Sequence, residues 1–425
     1  MPLPSAAQLA WQREELALFL HFGVNTFTDR EWGDGRESPT IFDPARLDAR
    51  QWARTARAAG FRAMILTAKH HDGFCLWPTA TTRHSVASSP WRGGAGDVVR
   101  EFVDACAAEG LRSGLYLSPW DRNHPTYGDT PAYNDVYATQ LTELLTRYGR
   151  ITEVWFDGAN GEGPNGKRQV YDWPRVWGIV RRLQPEAVIF SDAGPDVRWC
   201  GNERGVAGDP NWSPVDPSVV SFPGQSGSGI ETALQHGHQT GTVWRPAEVD
   251  VSIRPGWFYH PAQDGRVRTV DNLLELYFTS VGRNSKLLLN VPPTRDGLIH
   301  EVDAARLAGF RARRDESFGA PLVLRRRGRG SLDARAVVAE WDLSRPAVPR
   351  VARLAEDITR GQRVAAYRLE GWEGGKWRAL SVGSTIGYAK LDRIAPGPAI
   401  RRVRLVLEKW VEQPEQVSLQ LFDRA

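Results

Sequence analysis

Five stretches of this sequence place titratable or aromatic side chains directly behind short apolar runs. They are His21-Phe22-Gly23, Lys69-His70-His71-Asp72-Gly73, Tyr116 with Ser118-Pro119-Trp120-Asp121, Trp155 with Phe156-Asp157-Gly158, and Asp192. Carboxylates framed by aromatic rings suit glycosidic bond cleavage. One carboxylate attacks the anomeric carbon. A second, kept protonated by apolar surroundings, protonates the leaving oxygen, with the two about 5–5.5 Å apart in the retaining geometry. Asp157 is the natural attacking group, because a strand end would hold it rigidly and Trp155, two residues back on the same face, can wall the pocket. Each residue alone has a blander role, such as a helix N-cap for Asp121 or Asp192 and a satisfied core histidine for His21. All five in succession form a pattern.

Rival chemistries fit less well. His70, His71 and Asp72 suggest a metal, but neighbours on a strand point to opposite sides, so no metal site is expected. A metal-dependent barrel hydrolase stays as an alternative. Neutral imidazoles donating hydrogen bonds to sugar hydroxyls fit better. No G-x-S-x-G elbow, P-loop or strand-linked G-x-G-x-x-G occurs, and no nucleotide or other cofactor is expected. The run Gly224–Gly229 reads as a flexible loop. Cys75, Cys106 and Cys200 are odd in number and lack CxxC spacing, which argues against a disulfide framework.

A net charge of +4 on 54 basic and 50 acidic residues speaks against nucleic acid as a partner, and Arg325, Arg326, Arg327 and Arg329 read as a solvated strand or linker. No apolar run approaches the roughly 18 residues that would span a membrane. The first ten residues lack a charged segment followed by an apolar one. The expected compartment is therefore cytoplasmic, or periplasmic or secreted if a signal was removed. Seventeen Trp, many beside Gly, Pro or Asp, lean towards carbohydrate.

The elements that must position these groups alternate. Apolar runs at Leu18–Phe22, Ala63–Thr67, Ser113–Leu117, Glu153–Phe156, Val188–Ser191 and Lys286–Asn290, with a weaker one near Glu248–Ile253, predict strands buried on both faces. Between them lie helices: one opened by a capping box of Asp48 and Gln51, one from Asp97 to Gly110, then Tyr133–Tyr148 and Trp173–Leu183. Strand–helix alternation implies a parallel sheet, and the polar strand ends then converge at the C-terminal face of a (β/α)8-like (TIM) barrel. Seven strands are visible where eight are needed, so the barrel is expected to be irregular. Pro195–Gly229 is long and without periodicity, which marks a functional loop. Beyond Arg314, runs at Pro321–Leu324, Ala336–Trp341, Val364–Leu369, Trp377–Ser381 and Ile400–Leu407 predict an antiparallel β-sandwich. The expected domains are 1–318 and 319–425. With Trp372, Trp377 and Trp410 spread out, the sandwich reads as a structural cap rather than a glycan binder.

Long ordered motifs, HFGVNTFTDREWGDG (His21–Gly35), LTAKHHDGFCLWPT (Leu66–Thr79), GLYLSPWDRN (Gly114–Asn123) and EVWFDGANGEG (Glu153–Gly163), resemble the α-L-fucosidases of glycoside hydrolase family 29. VRWCGNERG (Val197–Gly205) and EVDVSIRPGWFYH (Glu248–His260) are similar to the plant and bacterial α-1,3/1,4-fucosidase branch. The resemblance implies an exo-acting retaining enzyme that releases L-fucose from Lewis-type glycans through a covalent fucosyl-enzyme. It assigns Asp157 as nucleophile and Glu203, in the loop after strand five, as acid/base, with Trp199 as its apolar neighbour. It places His21, His70, His71, Tyr116 and Arg254 at the fucose hydroxyls or the border of the site, and Trp155 and Trp257 against the ring or its methyl group. Glu31 and Trp32 fall on the first loop of the pocket. Asp72 and Glu162 are rival carboxylates, Asp72 being expected to orient a histidine. Cys200 stands where the family pattern has an aliphatic residue. A fucose-binding protein without turnover is the remaining alternative.

Overall fold

The computed structural model describes residues 1–333, 336–414 and 417–424. Eight parallel strands build the first domain: β1 (Leu16–Leu20), β2 (Ala63–Lys69), β3 (Arg112–Leu117), β4 (Glu153–Trp155), β5 (Val188–Phe190), β6 (Arg198–Trp199), β7 (Ala247–Ser252) and β8 (Lys286–Asn290). Their spatial order is β5-β4-β3-β2-β1-β8-β7-β6, and a single parallel bridge from Phe190 to Val197 brings the two ends together. The result is a nearly closed barrel. Strand β6, two residues long, is the eighth strand that the periodicity missed. It lies inside the segment read as loop, too short to carry a pattern of its own.

The helices of this domain are α1 (Ala6–Gln12), α2 (Val24–Thr28), α3 (Ala49–Ala58), α4 (Val98–Glu109), α5 (Thr130–Arg147), α6 (Trp173–Leu183), α7 (Ile230–His236), α8 (Val270–Thr279) and α9 (Glu301–Ser317), and α1 sends Trp11 into the barrel interior. Side-chain caps begin several of them, as the sequence suggests. Asp48, Asp97 and Asp172 accept from the amides of Gln51, Arg100 and Arg175 at 2.9, 2.8 and 3.1 Å. The first is not a reciprocal capping box, because the Gln51 amide instead exchanges two hydrogen bonds with the backbone of Ile299. Gly110 ends α4 in the left-handed region at φ 68°, where a side chain would be strained.

The second domain begins after α9 ends at Ser317. It packs a five-stranded antiparallel sheet on a three-stranded one. In chain order the strands are β9 (Leu324–Asp333), β10 (Ala336–Ala347), β11 (Val351–Glu356), β12 (Val364–Glu373), β13 (Lys376–Gly383), β14 (Lys390–Arg393), β15 (Ile400–Trp410) and β16 (Val417–Phe422). The order is β9-β10-β15-β12-β13 in the larger sheet and β14-β11-β16 in the smaller. Strands β11, β14 and β16 were not visible in the sequence, and Pro321–Leu324 contributes only its last residue. Leu354, Tyr367, Leu369, Val403, Leu405 and Leu421 fill the space between the sheets. Arg325, Arg326 and Arg327 lie exposed on edge strand β9. Trp372 and Trp377 are not spread out: they pair across the β12–β13 hairpin with ring centroids 5.2 Å apart, under the guanidinium groups of Arg402 and Arg404.

The sandwich docks through apolar packing, with Val351, Leu391 and Phe422 joining the barrel's core cluster, and through polar contacts. Arg353 pairs with Glu15, Lys390 with Asp209 at 2.7 Å, and the Asn284 amide bonds Gln362 and Tyr388. Gly387 permits that approach, since a Cβ there would sit 2.1 Å from Asn284 Oδ1. Glu15 and Asn284 precede β1 and β8. The sandwich therefore engages the N-terminal end of the barrel, opposite the strand ends that carry the polar motifs.

Candidate active site

The C-terminal ends of β1 to β4 and the loops after β6 and β7 enclose one pocket. Asp157 follows β4 and is 28% exposed at its side chain. Its Oδ2 accepts from the Tyr116 hydroxyl at 3.1 Å, and Oδ1 accepts from the amide of Ala159 at 2.7 Å. His71 Nε2 stands 3.9 Å from Oδ2. A chain of ring contacts leads from there around the wall: His71 to His70 at 4.1 Å between centroids, His70 to His21 at 5.5 Å, and His21 to Trp257 at 5.1 Å. The Trp257 indole closes the circuit by donating to Glu203 Oε2 at 3.3 Å.

His70 and His71 thus share one wall instead of facing opposite ways. β2 ends at Lys69, with its register to β3 shifted between Thr67 and Lys69, so strand alternation no longer governs the two imidazoles. Among the described residues, no group of three or more His, Cys, Asp or Glu side chains is placed to hold a metal ion.

The hydrogen-bond network assigns the tautomers. Asn290 gives its amide hydrogens to Ser252 Oγ and the Trp257 carbonyl, so its Oδ1 must accept from His21 Nδ1 at 2.8 Å. Ser118 donates to the Trp120 carbonyl and therefore accepts from His71 Nδ1 at 2.7 Å. Both imidazoles spend their N–H internally. They turn the Nε2 lone pair, an acceptor, away from that bond, the reverse of the donor role expected from sequence. Burial keeps all three histidines uncharged, lowering His21 to about 3 and His70 well below the usual range.

Inside the pocket, Trp155 forms the floor. Its ring stacks on Phe190 at 4.2 Å and 11°, and its N–H donates to Glu248 Oε1 at 3.0 Å. Glu248, Asp250 and Ser252 alternate along β7 and so share its inward face. Glu248 holds Trp155, Asp250 accepts from the Trp199 indole at 2.7 Å, and Ser252 ties Asn290 to Gly256. This inward column is legible as alternation in EVDVS, but its role was missed, as was that of Asn290.

Glu203 lies after β6, not after β5, with the bridge to Val197 and β6 itself intervening. The Trp257 indole donates to it, and the Trp199 indole donates to Asp250. Glu203 is exposed at the rim, yet partial burial raises its pKa and the Asp157 charge adds to the effect. Asp192, after β5, is pushed up to about 6 by burial and accepts from the amide of Gly224 at 2.9 Å. Gly224 is not simply flexible. It packs so closely on Gly158 that a Cβ on it would lie 2.2 Å from the Gly158 carbonyl oxygen.

Other expected residues sit differently. Arg254 is buried, with Nε on Asp303 and an Nη on Asp264, both at 2.8 Å, so it braces the wall from behind. Glu31 spends its carboxylate on the amides of Trp257 and Phe258 and on His260. Trp32 is 60% exposed at the rim, edge-on to His71 and Trp120. Asp72 orients no histidine. It accepts from the amide of Phe74 at 2.7 Å, and burial raises it to about 7. Lys69 is buried on Asp121, Tyr133 and Gln140. Glu162 is exposed. Cys200 is a free, buried thiol.

Comparison with known proteins adds to this geometry. The family model described as Alpha-L-fucosidase matches residues 11–311. Alpha-L-fucosidase 1 of Arabidopsis thaliana is 43% identical over 444 residues, covering 97% of this chain and 86% of the relative. The crystal structure of SpGH29 superposes with a TM-score of 0.92 at 38% identity, covering 100% of this chain and 99% of the other. A Ruminococcus gnavus GH29 fucosidase in complex with fucose gives 0.88 at 29% identity, covering 100% and 95%.

Proposed function

The chain belongs to the α-L-fucosidase family of glycoside hydrolases, and on that premise we propose that it removes α-1,3- and α-1,4-linked L-fucose from Lewis-type glycans by retaining double displacement. The observation that carries the mechanism is the pair of unlike carboxyl groups on one pocket. Asp157 is rigidly held at a strand end by Tyr116 and the amide of Ala159. Glu203 has a raised proton affinity and a hydrogen bond from Trp257.

Asp157 attacks the anomeric carbon while Glu203 passes its proton to the glycosidic oxygen, forming the fucosyl-enzyme and freeing the acceptor. Water then attacks the same carbon, gives its proton to Glu203 and restores the Asp157 carboxylate. Each step inverts, so the configuration is retained. His21 and His71 accept hydrogen bonds from fucose hydroxyls through Nε2, and His70 and Tyr116 border the same hydroxyls. Trp155 and Trp257 supply apolar faces for the ring and its methyl group. Trp32 stands where the acceptor sugar would leave the pocket. Glu31 and Arg254 act by shaping the walls. The fucose held by the R. gnavus relative supports the sugar class.

Proton NMR of aryl α-L-fucoside hydrolysis should show α-fucose as the first product. Glu203→Ala should lose about 10²–10⁴-fold on a Lewis-type trisaccharide but much less on an activated aryl fucoside, with partial rescue by azide. First-formed β-fucose, or equal loss on both substrates, would overturn the mechanism. Faster cleavage of α-1,2-linked fucose than of either Lewis-type linkage would overturn the proposed specificity.

A further inference from the structure

The loop from Arg254 to His260 carries Trp257, and thereby one side of the Glu203 contact. It is held from two directions. Below, Asn290 bonds the Trp257 carbonyl at 2.8 Å and Ser252 bonds the Gly256 carbonyl at 2.7 Å. Above, the Glu31 carboxylate takes the amides of Trp257 and Phe258 at 2.7 and 3.3 Å. Gly256 lies so near that a Cβ would meet Glu31 Oε1 at 2.2 Å.

His260 ends that loop and faces two acids of the loop after β1. Its Nδ1 is 2.7 Å from Asp29 Oδ1 and its Nε2 is 2.5 Å from Glu31 Oε1. An ionised carboxylate only accepts hydrogen bonds. Two such acceptors on the two ring nitrogens require both nitrogens to donate, which only the imidazolium does. We propose that His260, as an imidazolium bridging Asp29 and Glu31, is a positioning residue that sets the Trp257 indole and through it Glu203. The assignment rests on the mechanism above for its kinetic consequence, but not for its structural content.

Loss of the proton would turn one ring nitrogen into a lone pair facing carboxylate oxygen. One of the two acids would lose its tie to the ring, and the hold of Glu31 on the Trp257 amide would loosen. The charged groups facing His260 are Asp29 and Glu31. Burial alone would lower the affinity of the ring for its proton, but hydrogen bonds to the two acids outweigh it and raise the pKa above the ordinary histidine value. The clamp is therefore closed below that raised value and opens as pH rises through it.

An activated aryl fucoside needs no proton from Glu203 but still packs on the Trp257 ring that the clamp places, so its alkaline limb reports the clamp and not the titration of Glu203. For His260→Gln, kcat/KM should fall by about 10-fold at pH 6, and the ratio to the unmodified enzyme should shrink towards one in the alkaline range. Histidine NMR should show His260 titrating above the ordinary value of about 6.5 and dropping towards it in Asp29→Asn, a variant that keeps the shape of the contact. A pH-independent ratio, or His260 titrating at or below the ordinary value, would overturn the proposal. Absence of fucoside turnover in the unmodified chain would sink the functional reading while leaving the NMR titration to decide the clamp.

Discussion

Two clusters of charged and aromatic side chains occupy the same barrel, one above the other, and only one is built to meet a ligand. The lower cluster centres on Lys286, whose ammonium lies 2.7 Å from Glu14, 3.0 Å from Glu153 and 3.8 Å from Glu248. Trp11 donates to Glu153 at 2.9 Å and Arg112 pairs with Glu14 at 2.8 Å. Burial first, and the Glu153 charge second, hold Glu248 protonated well above the usual carboxylate range. The upper cluster uses similar residue types, but no Lys or Arg salt bridge among the described residues neutralises Asp157, and Glu203 stands open at the rim. Perturbed proton affinity alone therefore does not mark the site, because Glu248 is perturbed as well. What separates the clusters is closure. Lys286 is closed in by its counter-ions Glu14 and Glu153, whereas the charge of Asp157 is left for something that enters from outside. Trp155 is the seam between them, its N–H turned down to Glu248 and its ring flooring the pocket above.

The sharpest way to break this contrast is to remove one charge from each cluster. Asp157→Ala should cost on the order of 10⁴-fold in kcat while leaving the melting temperature almost unchanged, measured by steady-state kinetics beside calorimetry. Lys286→Met should do the reverse. It strands carboxylates in the barrel interior, a loss of about 3–5 kcal/mol, seen as a melting temperature lowered on the order of 5–10 °C. Its kcat per folded molecule should stay within about threefold, consistent with a loss of stability alone. A Lys286→Met enzyme that kept its stability but lost turnover would erase the distinction between the two clusters.

A smaller effect sharpens the comparison at His21. The folded-state value of about 3 lies below that of the unfolded chain, so the unfolded state binds more protons between roughly pH 3 and 6.5. Stability carried by the neutral ring is present above that window and lost as pH falls through it. His21→Asn should flatten the dependence of unfolding free energy on pH by up to about 1.4 kcal/mol per pH unit there, read from denaturant titrations at pH 4 to 6.5. An unchanged slope would show that the ring is not held neutral.

Much of this was legible in the chain. Seven of eight barrel strands, the caps at Asp48 and Asp97, and the strand-end cluster at His21, His70, His71, Tyr116 and Asp157 each depend on neighbours within a few residues, where periodicity and capping rules operate. What failed had a different origin. Arg198–Trp199 is too short for any pattern, and its strand character comes from pairing with Ala247 and Glu248. The His70–His71 pair was misdirected because alternation was extended past the residue where β2 ends. Arg254 was placed at the site by resemblance, and its ties to Asp264 and Asp303 were not legible because those acids lie further along the chain.

The sequence by itself determined the kinds of groups at the strand ends and the elements that carry them, since those follow from side-chain type and local spacing. Only the tertiary structure decided which nitrogen of His21 and His71 carries the proton, that the Trp257 indole donates to Glu203, and that His260 joins two acids 229 and 231 residues away. These are hydrogen bonds between segments that meet only when the barrel closes. A donor finds its acceptor by position in space, and sequence spacing carries no record of that distance.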